Sequence, residues 1–213
     1  MIDTLSKITT FVVITVAQAT PFAAPDSVVL ASREISMENR YSVKSVSDVF
    51  RDNILLNLAY MDGKVASGID VNWDEIKKPF TYSFKLNPGE AFAFHDDTLP
   101  EYKDKVIRTT NAHFNATEGF KTDGYLFGDG VCHLASLMYW VAKEAGLDAL
   151  APVNHNFMEI PEISREYGVS IYSNPYSQGT QARQNLYITN NKNKPVTFIF
   201  NYSGDKLKAS ILE

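Results

Sequence analysis

Apolar positions along the chain fall into two periods. Between Ser45 and Asp62, Val49, Phe50, Ile54, Leu55 and Leu58 recur at helical spacing, which predicts an amphipathic helix capped by Ser47 and ended at Asp62-Gly63. A second helix is predicted after Gly128-Asp129-Gly130: Val131, Leu134, Ala135, Met138, Val141, Ala142 and Ala145 form one stripe, and Gly146 stops it. Short β-rich runs at 80–84, 91–94, 169–172, 186–189 and 196–200 predict strands, since Asn, Gly and Pro clusters divide them. Asn87-Pro88-Gly89 joins the first two as strand, turn, strand, and residues 190–195 read as a hairpin loop. Residues 64–79 read as a surface excursion, 25–44 as a linker or edge segment, and 100–124 carry no assignable pattern. The expected fold class is α+β, an antiparallel sheet packed against the helix that carries Cys132, in one main domain over residues 45–213.

The N-terminus changes the picture of compartment. Lys7 precedes an apolar run from Ile8 to Ala17, and small residues follow at Ala17-Gln18-Ala19 and Phe22-Ala23-Ala24. Residues 1–24 thus read as a secretory leader, with an N-terminal strand as the alternative because Val, Ile and Thr dominate. The expected location is exported or associated with the cell envelope. The run falls well short of the roughly 20 residues that a spanning helix needs, so no stable membrane span is expected.

Composition adds exclusions. With 213 residues, 45% apolar and 21% charged, the chain is long and apolar enough to build a core. A net charge of −5 with no basic stripe argues against nucleic acid as a partner. No pair of histidines has the spacing of a metal motif, and nothing in the sequence calls for a metal or other cofactor. Oligomeric state is not encoded in any pattern.

The chemistry concentrates at Cys132, the single cysteine. With Asp129 as N-cap it falls in the first helical turn, where free backbone N–H groups favour a thiolate, although the Asp129 charge opposes one. Gly128 and Gly130 let a substrate approach the backbone. His155 follows on what reads as the next strand and is the expected base. Cysteine on a helix with histidine on the following strand is the chain order of papain-like and transglutaminase-like acyl-transfer enzymes. His133, about 100° around the helix from the cysteine, is expected to contact substrate or solvent, and His95 and His113 to lie on the surface or in loops. The other reading of Cys132 is an inert core thiol, and of His155 a satisfied loop or strand histidine.

These residues resemble a family. The segment Asn87-Pro88-Gly89-Glu90-Ala91-Phe92-Ala93-Phe94 is similar to the PGE-x-F-S-F segment of VanW-like domains, and Gly128-Asp129-Gly130-Val131-Cys132-His133 to their G-G-G-V-C-Q motif. Leu134 to Leu147 resembles the family helix ending in A-G-L, and His155 stands where the family has its H-S. Asn185-Leu186-Tyr187-Ile188-Thr189-Asn190 resembles D-L-x-F-x-N, and Arg51-Asp52-Asn53-Ile54 the opening R-x-x-N-I, so the likeness runs over roughly residues 48 to 200. It departs at Asp129, His133 and Asn185, and Gly168-Val169-Ser170 is a weak counterpart of the family's G-x-D-A-T.

The resemblance implies work on peptidoglycan. VanW-like domains are associated with Gram-positive envelopes and vancomycin-resistance clusters, and some are described as cysteine L,D-transpeptidases. By that likeness Cys132 and His155 would be catalytic, with Asn185 orienting the histidine, and Gly128, Asp129, Gly130 and His133 would bind a peptidoglycan stem peptide. Backbone N–H groups of residues 131–133 would hold the oxyanion. The sequence leaves a non-catalytic domain binding peptidoglycan or an envelope protein as the alternative, and a hydrolase of another amide as a third.

Overall fold

The computed structural model describes residues 27–124, 127–173 and 181–213. The segment 1–24, expected as a leader or a strand, lies outside the described residues. Among the described residues eight strands form two sheets rather than the single one expected. In the first, β1 (Val29–Ser36), β8 (Lys206–Leu212), β7 (Val196–Tyr202) and β2 (Phe80–Leu86) lie in that order, all antiparallel. Alternation builds its inner face, where Tyr82, Phe84 and Leu86 of β2 face Phe200, Phe198 and Val196 of β7. Phe84 stacks on Phe198 with ring centroids 4.7 Å apart.

The second sheet is small and mixed. It orders β4 (Val106–Arg108), β3 (Ala91–Ala93), β6 (Tyr187–Thr189) and β5 (Asp148–Leu150), with β3 and β4 parallel and the other pairs antiparallel. The expected strand, turn, strand unit is therefore corrected. Asn87-Pro88-Gly89 does turn, with Gly89 at φ 81° and Glu90 N–H donating to the Asn87 carbonyl, but β2 and β3 leave it for different sheets. Residues 169–172, expected as a strand, join no ladder; Ser170 N–H donates to Val153 and Tyr172 N–H to Gln184.

Helix α1 (Lys44–Met61) is buried on every side from Asp52 to Met61 and runs through the core. Its cap differs from expectation. Val43 takes the N-cap position, while Ser47 accepts from Arg40 N–H and donates to the Glu38 carbonyl, so it pins the preceding loop. In the excursion at 64–79, α2 (Trp73–Ile76) is capped by Asn72 and buries Ile76. Helix α3 (Val131–Glu144) ends as predicted: Gly146 adopts φ 70°, its N–H donates to Lys143 and that of Leu147 to Ala142. α3 packs against β1, β5, β8 and α1, which fixes its N-terminal turn beside the cleft described next. No helix among the described residues is long and apolar enough to cross a membrane.

Candidate active site

A cleft of about 710 Å3 opens at the start of α3, and Gly128, Asp129, Gly130, Cys132, His133 and His155 all line it. Five of these were expected to sit near Cys132; their arrangement is new. Asp129 is not the N-cap. That position belongs to Gly130 at φ 99°, with no side-chain cap, and the Asp129 carboxylate accepts instead from Asp123 N–H at 3.2 Å. The glycines let the loop approach the protein's own chain closely. A Cβ on Gly130 would sit 2.5 Å from the Phe50 carbonyl oxygen, and one on Gly128 2.7 Å from the Phe114 Cβ. Asn53 then ties this loop to α1, donating to the Lys121 and Asp129 carbonyls at 3.0 and 2.9 Å and accepting from Lys121 N–H at 2.8 Å.

Cys132 is partly buried, and its Sγ lies against Ile171, accepting the Ile171 N–H at 3.4 Å and standing 3.7 Å from its carbonyl oxygen. Ser136 holds that segment in register, since its hydroxyl donates to the Cys132 carbonyl and accepts from Val169 N–H. The expected resting thiolate is corrected. Burial pushes the thiol up to about 11, with the Asp129 charge adding to the rise and the Ile171 N–H opposing it. The protonated thiol is then the resting form at neutral pH. Among the described residues no hydrogen bond joins Sγ to an imidazole.

His155 stands in the loop beyond β5, not on the strand. Its Nδ1 lies 3.1 Å from the Met158 carbonyl, which can only accept, so Nδ1 carries the proton and Nε2 is left as an acceptor. Burial lowers its pKa, which keeps the ring neutral at pH 7. The Phe157 ring lies 3.9 Å from the His155 ring, centroid to centroid, and is 73% exposed at the mouth of the cleft. His133 is 2% exposed, so the solvent role is excluded, and its ring meets Phe50 and His155 edge-on at 5.0 and 6.4 Å.

Asn185 does not join this group. Its side chain accepts from Phe94, His95 and Leu186 N–H and donates to the His95 and Asp97 carbonyls, so it locks the exit of β3. The His155 ring is held by the Met158 carbonyl instead. His95 and His113 both lie in loops, as expected: His95 is buried with Nε2 at 3.0 Å from the Gln184 carbonyl, and His113 lines the cleft between Glu118 and Asp96, whose carboxylates raise its pKa against the effect of burial. Gln184 also lines the cleft and was missed, for a lone Gln before a strand gives no sequence signal. Of the helix-start amides, Val131 and His133 donate to Gly128 and Gly130, and only Cys132 N–H finds no carbonyl partner among the described residues. No group of three or more His, Cys, Asp or Glu among the described residues could hold a metal.

The Asp129 carboxyl is pushed up to about 6, chiefly by burial. Its protonated form thus favours folding, a contribution present below the ordinary carboxylate range and lost as pH rises through about 6. Asp129→Asn keeps an acceptor for Asp123 N–H and removes the charge. It should lower the thiol pKa by roughly half a unit to one unit, read as a shifted midpoint in alkylation rate against pH. An unmoved midpoint would refute the coupling.

An α+β domain of two sheets, with a cysteine at a glycine-framed helix start sharing a cleft with histidines, defines the class of protein. The chain belongs to the VanW-like family, whose model, described as VanW like protein, matches residues 82–212. The match begins within β2, so it leaves out Arg51 to Ile54 and takes in β8. No curated protein and no solved structure matches the chain.

Proposed function

We propose that the protein is an exported cysteine acyltransferase of the cell envelope, acting on peptidoglycan stem peptides through a Cys132 thioester. The observation that carries the proposal is the shared cleft: the only cysteine, a neutral imidazole and the Cys132 N–H, which finds no carbonyl partner among the described residues, all border it. A bound amide carbonyl would displace Sγ from Ile171. His155 Nε2 would take the thiol proton as sulfur attacks, and return it to the departing amine when the C–N bond breaks. Cys132 N–H is the donor for the oxyanion. The thioester then passes to an amine, giving a cross-link, or to water.

Incubation with muropeptides tests this by intact mass. The expected result is an acyl adduct on Cys132 that Cys132→Ser cannot form as a thioester, together with new cross-linked or trimmed muropeptides. The protonated thiol favours one second reading, a non-catalytic domain that binds envelope peptides. A folded protein that forms no adduct, and whose Cys132 resists iodoacetamide at neutral pH, would establish that reading instead.

A further inference from the structure

The most costly polar group in the cleft is His133. Both of its ring nitrogens are sealed from solvent and neither has a hydrogen-bond partner among the described residues, although the residue lines the cleft. A buried imidazole with a donor and an acceptor both unfilled is unfavourable, so a fold keeps one where something else completes it. The field around it says what. Arg40, 1% exposed, spends one terminal nitrogen on Glu162, Pro161 and Asn39, while its Nε and other terminal nitrogen remain sealed and unpartnered. Arg40 does not line the cleft, but its charge acts on His133, and burial with that charge holds the ring well below the usual histidine range, with His155 adding to this only when it is itself protonated. Glu162 pairs with Arg40 on the side away from its sealed nitrogens, and the Asp129 charge acts on the thiol. A neutral ligand would answer the unfilled ring, whereas an anion answers both the ring and the positive field.

We infer that His133 is the recognition residue for a carboxylate: the cleft takes a peptide by its free C-terminal carboxylate, and the His133 ring, sealed in the free protein, turns out to the cleft and becomes an imidazolium as the peptide binds. One proton is taken from solvent for each peptide bound. The inference rests on the cysteine reading for its substrate, and it places the terminal carboxylate on the leaving residue, one residue beyond the carbonyl that Cys132 attacks. Phe157 and Tyr172, both exposed at the cleft, then flank the remainder of the peptide.

The test uses the full chain carrying Cys132→Ala, labelled with 15N in its histidine rings, so that binding is read without acylation. The probes are acetyl-L-Lys-D-Ala and the same dipeptide as its C-terminal carboxamide. In the free protein the His133 ring should stay neutral through the range in which an ordinary histidine titrates. The carboxylate peptide should bring one ring, His133, to the imidazolium shift and bind at least tenfold more tightly than the carboxamide. Calorimetry in buffers of different ionisation heat should show uptake of about one proton. His133→Gln should bring the two affinities within about threefold. Equal affinities, a His133 ring that stays neutral, or no binding of either peptide would overturn the inference. The ring shift decides the matter even if the Gln variant does not fold. Thioester formation on unsubstituted Cys132 is read separately, so the cysteine chemistry stands or falls on its own result.

Discussion

Gly130→Ala should cost roughly 3 to 5 kcal/mol of stability, since it adds a left-handed non-glycine residue to a contact with nowhere to go. The backbone there is at φ 99°, and the new methyl would press on the Phe50 carbonyl oxygen at 2.5 Å and Phe50 Cα at 2.8 Å. Both neighbours are backbone of the helix α1, which cannot yield as a side-chain tip would. Chemical denaturation with the midpoint and slope followed together measures the effect. A loss below about 1 kcal/mol would mean that the loop can move off α1, contrary to the close approach described. Gly63, with φ 73° and no heavy atom within 4 Å of an added Cβ, is the matched control: Ala there should cost only the smaller backbone strain.

His155→Ala should slow acylation of Cys132 by about a hundredfold to ten-thousandfold, the range for removal of a positioned base. Sulfur and imidazole make no hydrogen bond at rest, and His155 is not among the groups that set the thiol pKa. Iodoacetamide labelling, which needs only the thiolate, should therefore stay within about twofold of the parent while the peptide reaction collapses. A parallel fall in both rates would instead mean that His155 holds the thiol in an ion pair. An unchanged peptide rate would remove it from the mechanism.

The helices were legible because each combines periodicity with a punctuating residue, and Gly146 closes α3 by the hydrogen bonds its position predicts. Strand positions were legible too, but their partners were not. Phe84 and Phe92 lie either side of a turn and still belong to different sheets, because register depends on which distant strand, β7 or β6, covers the apolar face. The alternation of β8, Leu207, Ala209 and Ile211 inward, was present in the sequence and masked by its Lys and Ser residues. At the site, Cys132 and His155 could be named from spacing. Asn185 could not be placed correctly, since an Asn that orients an imidazole and one that holds a chain bend look alike until the carbonyls around them are known. The loop that carries His113 was legible but its place in the cleft was not, and the next residue, Phe114, takes φ 61°, a left-handed turn that no glycine advertises.

The anchoring of the glycine loop has a bearing on how this motif can be transplanted. Asn53 and Phe50, which grip that loop, lie outside the segment 82–212, as does β1, the edge strand paired along β8. A graft or truncation that keeps the signature residues while discarding α1 would carry the cysteine without its scaffold, and would leave the β8 edge open to association. The portable unit is thus larger than its recognisable signature and includes β1 and α1.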